Sequence, residues 1–256
     1  MKTIYNTIKR MFRTVAMYIV AVTTFLMVGC TSTSQETLEC SLLIDVTGSN
    51  DHTLEHLKAS DIQKVLGVTD KGTSKPIIYR QSLIVDTFIN RHREFTLSTP
   101  PSFLTGNSFD YRDKVKKFLK GIEKEIALAK KDSSGRGSSS IYLPMARELR
   151  RLSNSQSGEK LLILYTDLIE NTEALSFFNS KHNIGERTLQ KLIRNPKAIE
   201  IILQREMPLP KDLNGITVYI IHDTQVGSER YFKPLLKLYQ SMLEKRGAVV
   251  ISGANL

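Results

Sequence analysis

The run Leu161-Leu162-Ile163-Leu164-Tyr165 constrains this chain more than any other feature. A strand that is apolar at every position, rather than at alternate ones, must be covered on both faces. That is the condition of a parallel sheet with helices on either side. The rest of the chain supplies what such a sheet needs. Short apolar runs recur at residues 40–44, 76–80 with 83–85, 216–221 and 248–251, and residues 94–97 read as an edge strand. Between them, helical spacing runs over residues 54–66, 110–131, 141–152, 186–193 and 231–244, and residues 174–178 read as a further helix. Residues 198–203 are ambiguous. A turn or bulge is expected near Gln81-Ser82, and residues 67–75 read as a loop. The longest helix gathers Val115, Phe118, Leu119, Ile122, Ile126 and Ala129 into one stripe, which leaves its lysines on a solvated face. Alternation of strands and helices at this rhythm predicts an α/β fold, a doubly wound, mostly parallel sheet flanked by helices in the Rossmann-like manner.

The N-terminus follows a different logic. Lys2, Lys9, Arg10 and Arg13 precede an apolar run over residues 15–29 with no acid among them, which is the layout of a secretion signal. That run of 15 residues falls short of the roughly 17 to 25 that a spanning helix needs. It ends in Leu26-Met27-Val28-Gly29-Cys30, which resembles the lipobox of bacterial lipoproteins, although Met27 stands where Leu is usual. The resemblance implies a signal peptide over residues 1–29, a diacylglycerol on the Cys30 thiol, and a polar tether over residues 30–38. It also implies a place in the bacterial cell envelope, with the outer membrane favoured because Thr31 rather than Asp follows the cysteine. Removing residues 1–29 takes away four bases and no acid, so the formal charge falls from +10 to +6. An exported chain of that balance has no call for a nucleic-acid partner. With Cys30 lipidated, Cys40 is the one cysteine left, so no internal disulfide forms.

In an open α/β sheet, ligands bind beyond the carboxyl ends of the strands where the strand order reverses. Asp45 ends the first strand and Asp167 follows the 161–165 strand, with the hydroxyls Thr47, Ser49 and the Ser138 to Ser140 cluster available nearby in sequence. Carboxylate and hydroxyl oxygens are the ligands of a hard divalent cation such as Mg²⁺ or Mn²⁺. The segment Leu42-Leu43-Ile44-Asp45-Val46-Thr47-Gly48-Ser49 resembles the opening of the von Willebrand factor type A (vWA) domain. That family's metal-ion-dependent adhesion site begins Asp-x-Ser-x-Ser. Here Thr47 replaces the first Ser. The segment Gly137-Ser138-Ser139-Ser140-Ile141 is similar to the family's Thr loop, with Ser139 as the favoured counterpart and Ser138 next. Thr166-Asp167 resembles its final acid, with Leu168 where Gly is usual. The resemblance implies a vWA-like domain over residues 39–256. It also implies a cation held by Asp45, Thr47, Ser49, Ser139 and Asp167, and a protein partner that offers an acidic residue to that cation without enzymatic turnover.

A second resemblance belongs to another class. Asp45-Val46-Thr47-Gly48-Ser49 is similar to the Asp-Lys-Thr-Gly-Thr signature of P-type ATPases and haloacid-dehalogenase-like enzymes, which implies Mg²⁺-dependent phosphoryl transfer with Asp45 as nucleophile. Val46 removes its Lys, and Thr47 stands where those enzymes carry a second Asp. A third reading is a structural domain with a degenerate metal site. Asp86 and Asp223 near strand ends read as turn residues. His52, His56, His92, His182 and His222 lack zinc spacing. His222-Asp223 has no nucleophile elbow to serve, and the Gly135 loop lacks the Lys of a phosphate-binding loop.

Overall fold

Alternation along the first strand decides how the sheet is dressed. In β1 (Leu38–Asp45), Leu42 and Ile44 point to one face and Leu43 to the other, so each face needs its own helical cover. A computed structural model describes residues 36–47, 51–85, 88–101, 108–132, 139–177, 184–222 and 229–256. Residues 1–29, the tether to Gln35 with Cys30, and Ser49, Asp86, the Gly135 loop with Ser138, His182 and Asp223 lie outside them. The described residues belong to one compact unit, Glu36–Leu256, whose first strand begins at Leu38.

The chain runs β1, α1 (Asp51–His56), α2 (Ala59–Val65), β2 (Ile77–Val85), β3 (Phe88–Leu97), α3 (Ser108–Asp132) and α4 (Tyr142–Ser153). It continues through β4 (Glu159–Tyr165), α5 (Ile184–Arg194), α6 (Pro196–Glu206), β5 (Ile216–Ile221), α7 (Glu229–Glu244) and β6 (Val249–Gly253). The strands form one sheet in the order β3-β2-β1-β4-β5-β6. All neighbours are parallel except β3, which returns antiparallel along β2 as an edge. This is the doubly wound, mostly parallel α/β fold expected of the chain. The order reverses between β1 and β4, where the chain leaves β1 toward one edge and later starts again on its other side.

Two apolar layers hold the helices. On one face Leu42, Ile44, Tyr79, Ile163 and Tyr165 meet α1, α2 and α3. On the other Leu43, Leu162, Leu164, Val218 and Ile220 meet α4, α5, α6 and α7. Against the first layer, the Phe118 ring of α3 meets Phe95 edge-on at 6.5 Å and 86°. Gly121 allows that approach, since a Cβ there would stand 2.5 Å from the Phe95 ring. Cys40 is fully buried in the same layer, and burial pushes its thiol up to about 12, as befits an inert packing residue.

Several expectations change. Residues 54–66 form two short helices rather than one, with Leu57 and Lys58 between them. The irregularity in β2 falls between Leu83 and Ile84, not at Gln81-Ser82. Residues 174–177 are not helical. Thr172 accepts from and donates to Leu175, and the Phe177 amide donates to the Glu170 carbonyl at 2.8 Å, so local turn bonds take the groups a helix would use. The ambiguous stretch 198–203 is helical within α6, which Asn195 caps by accepting from the Ala198 amide at 3.1 Å. Among the described residues no helix is long and apolar enough to cross a membrane.

One buried polar cluster ties α4 to β1. Arg151 bonds the carboxylates of Glu39 and, at 2.9 Å, Glu148, and it donates to Ser41 Oγ at 2.6 Å; Ser41 in turn donates to Glu148 at 2.9 Å. Burial alone would raise the Glu39 carboxyl, but Ser155, Arg151 and Ser157 together hold it below the ordinary range. Removing the guanidinium leaves two nearly buried acids facing each other. Arg151→Ala is therefore expected to cost about 2–4 kcal/mol, near or just below the range for breaking a buried pair because the arginine is partly exposed. Urea unfolding followed by circular dichroism measures this, and a cost below about 0.5 kcal/mol contradicts it.

Candidate functional site

The end of β1 and the end of β4 arrive together because the two strands pair in parallel with Ile44 opposite Tyr165. One residue further on, Asp45 meets Thr166, and the Thr166 hydroxyl donates to Asp45 Oδ2 at 2.9 Å. The other oxygen, Oδ1, accepts from the Thr47 amide at 3.1 Å and the Thr47 hydroxyl at 2.7 Å. Aspartate commonly closes such a turn on the residue two places later. Asp45 is fully buried and Asp167 nearly so. Burial, and then the neighbouring Asp167 charge, push the Asp45 carboxyl up to about 8, against the pull of the Thr47 and Thr166 donors.

The loop after β4 is wound tightly. Leu168 donates its amide to Thr166 Oγ1 at 3.0 Å, and Ile169 donates to Asp167 Oδ1 at 2.9 Å. Between these two turns Leu168 takes φ 62°, the left-handed conformation that favours glycine. The position where the vWA resemblance expects Gly thus keeps a glycine-like backbone while carrying a leucine. Its fully buried side chain joins the core on the α4 face.

The serine loop comes to the same edge. Glu170 accepts from the Ile141 amide at 3.1 Å and also from the Tyr142 amide, so it caps α4 from across the chain where Ile141 offers no side-chain cap. Tyr239 donates to the same oxygen at 3.2 Å. Burial pushes the Glu170 carboxyl up to about 7 against these donors. The Asn171 amide then donates to the Ser139 carbonyl at 2.7 Å, which fixes Ser139 beside the loop that follows Asp167. Ser139 is 4% exposed, and its hydroxyl has no hydrogen-bond partner among the described residues. An orphaned buried hydroxyl costs about 1–3 kcal/mol, so its retention asks for a reason.

Of the expected site residues, Asp45, Thr47, Ser139 and Asp167 come to this edge, while Ser49 lies outside the described residues. Sequence reasoning gave no role to Thr166 or Glu170. Thr166 could have been found from the register that sets it beside Asp45; Glu170 leaves no sequence signal beyond an acid three places after Asp167. His222 is buried against Phe232, with ring centroids 4.5 Å apart. Among the described residues no three His, Cys, Asp or Glu side chains gather as a metal cluster. The donors here are two carboxylates and hydroxyls, all oxygen, and the buried Ser139 hydroxyl lacks a partner among the described residues. Such a set fits a hard divalent cation.

No protein-family model matches the chain, and no curated protein matches its sequence. Solved structures with a similar course include the PilB minor pilin from Streptococcus sanguinis, at 12% identity and TM-score 0.43 over 87% of this chain; the chain spans 58% of the pilin's length. The human COPII-coat protein Sec24c is similar at 10% identity and TM-score 0.39, over 86% of this chain and 30% of that one. An aerotolerance-related membrane protein from Bacteroides fragilis is similar at 10% identity and TM-score 0.34, over 85% and 93%. At such identities and scores these likenesses carry no functional argument.

Two outcomes follow from the geometry. Because the folded chain holds Asp45 above its ordinary value of 3.8, its contribution to stability is full below that value and is lost as pH rises through about 8. Without metal, the melting temperature should fall over that window, and Asp45→Asn should flatten the fall; an unchanged pH profile in the variant contradicts this. Leu168→Gly relieves roughly 1 kcal/mol of backbone strain but forfeits about 2–4 kcal/mol of buried side chain. A net loss of about 1–3 kcal/mol is expected in denaturant unfolding, and a stabilised variant contradicts the balance.

Proposed function

We propose that the chain is a bacterial envelope lipoprotein, tethered through a diacylglycerol on Cys30 with the outer membrane favoured. Its vWA-like domain binds a protein partner through a divalent cation. The observation that carries this reading is the pair of buried carboxylates, Asp45 and Asp167, beyond the strand ends where the order reverses, with Ser139, whose buried hydroxyl has no partner among the described residues, held to the loop after Asp167 through the Asn171 amide. Asp45, Thr47, Ser139 and Asp167, with Ser49, would hold Mg²⁺ or Mn²⁺, and the ion would supply positive charge between acids that otherwise repel.

Each neighbour has its part. Thr166 and Thr47 orient the Asp45 carboxylate, and the Ile169 amide orients Asp167. Glu170 keeps the Ser139 loop seated by capping α4. Two carboxylates leave a hard cation with affinity for a further acid, and an Asp or Glu of the partner protein would meet that demand. The interaction makes and breaks no covalent bond, so the role is adhesion or assembly without turnover. Attack on phosphorus by Asp45 is the weaker reading: Val46 stands where those enzymes carry Lys, Thr47 where they carry a second Asp, and no Gly-Asp pair follows Asp167.

Calorimetric titration of Mg²⁺ and Mn²⁺ into the purified chain, beside Asp45→Ala and Asp167→Ala, tests the site. Saturable binding that both variants lose while staying folded is expected; binding retained in both variants, or no binding by the folded parent chain with or without an acidic partner, overturns the reading. The anchor has its own test. Incorporation of an alkyne-tagged palmitate during growth, and recovery in the membrane fraction, should both be lost in Cys30→Ser. Continued labelling of that variant contradicts lipidation at this residue.

A further inference from the structure

Away from the carboxylate site, α5, α6 and α7 enclose a groove of about 490 Å³ that shares no residue with it. That volume lies in the range of recognised binding clefts. Its base is apolar: Leu192 and Leu238 are nearly buried, and Pro196 and Pro234 line it beside them. Pro196 sits in the first turn of α6, where a proline costs the helix nothing. Pro234 is inside α7, where it denies the Arg230 carbonyl its helical donor. Ile193 adds an exposed apolar side chain at 57% of its full area.

The charges around this base are mostly of one sign. Four lysines, Lys197, Lys233, Lys237 and Lys245, line the groove against a single acid, Glu200. That acid is already engaged by Lys197 at 2.9 Å and by Gln204 at 2.8 Å, with Arg246 at 3.9 Å. Lys233 pairs with Glu229 at 2.5 Å, outside the lining. Lys237 and Lys245 have no acidic partner among the described residues. An apolar trough that gathers unneutralised cations along its wall is complementary to a ligand that is apolar on one side and acidic on the other.

We propose that this groove is a second docking site, and that it takes an acidic amphipathic helix of a partner protein. The spacing separates that occupant from smaller anions. Lys233 and Lys237 lie one turn apart on α7, at 1.5 Å of rise per residue, and Lys245 follows directly after the helix end at Glu244, so the cations extend roughly 18 Å or less. A single headgroup or carboxylate reaches one of them, whereas acids at successive helical turns reach several. The recess favours the same choice, since an apolar helix face seats its side chains in a groove between helices, while a membrane surface meets a flat or convex face. The site is independent of the cation-dependent one.

The test uses a fluorescein-labelled peptide with leucines along one helical face and glutamates along the other, and a second peptide of identical composition in scrambled order. Fluorescence anisotropy on titration with the full chain, beside Lys237→Glu/Lys245→Glu, reads the affinity. Both lysines are exposed, so circular dichroism of the variant should match the parent chain. Saturable binding of the first peptide, weakened at least about tenfold by the charge reversal and by raised salt, is expected. Absence of binding, equal affinity for the scrambled peptide, or equal affinity in the variant overturns the proposal. Cosedimentation with phosphatidylglycerol vesicles that depends on the same two lysines, without peptide binding, makes the face a membrane surface and overturns it as well.

Discussion

Everything at the candidate site depends on the parallel pairing of β1 with β4. That register, Ile44 opposite Tyr165, brings together chain segments about 120 residues apart and sets Asp45 beside Thr166 and close to Asp167. Because β1 also pairs with β2, its end lies in the interior of the sheet rather than at an edge. Two acids in that position are removed from water, which raises the cost of charging both. The surrounding donors, Thr47, Thr166 and the Ile169 amide, offset part of that cost, and a bound cation would offset most of the rest. The turns that Thr166 and Asp167 close on the Leu168 and Ile169 amides flank the left-handed backbone of Leu168, whose side chain is buried in the core.

The fold was largely legible in the sequence for one reason. The apolar runs of β4, β5 and β1 and the stripe of α3 are long and unmixed, so their burial follows from their chemistry alone. Legibility failed where local hydrogen bonding competes with pattern. Residues 174–178 read as a helix, yet Thr172 and the Glu170 carbonyl draw the backbone of Leu175 and Phe177 into turns. In the stretch expected to be one helix over residues 54–66, the break at Leu57 and Lys58 leaves no mark in the spacing of apolar residues. The placement of Asp45, Thr47 and Asp167 at or past strand ends and of Ser139 just before a helix was legible from the apolar runs that flank them. Thr166 and Glu170 were not, since one acts through a register and the other through a cap, and both are properties of the assembled sheet.

The two proposed sites differ in their chemistry. The carboxylate site sits beyond the ends of the central strands, depends on burial, and would recognise an acid through an ion. The groove sits among α5, α6 and α7, depends on exposed lysines, and would recognise acids directly. If the proposed sites act as argued, the first would need a divalent cation and the second would weaken with salt, so the two would respond to different ionic conditions.

Crystals of the chain grown with Mn²⁺ and measured near the manganese absorption edge test the central claim most directly. The account expects an anomalous difference peak in coordinating reach of Asp45, Asp167 and Ser139, with the Ser139 hydroxyl turned to the ion. Well-ordered crystals with no peak at these residues, at a manganese concentration that saturates binding in solution, would contradict it.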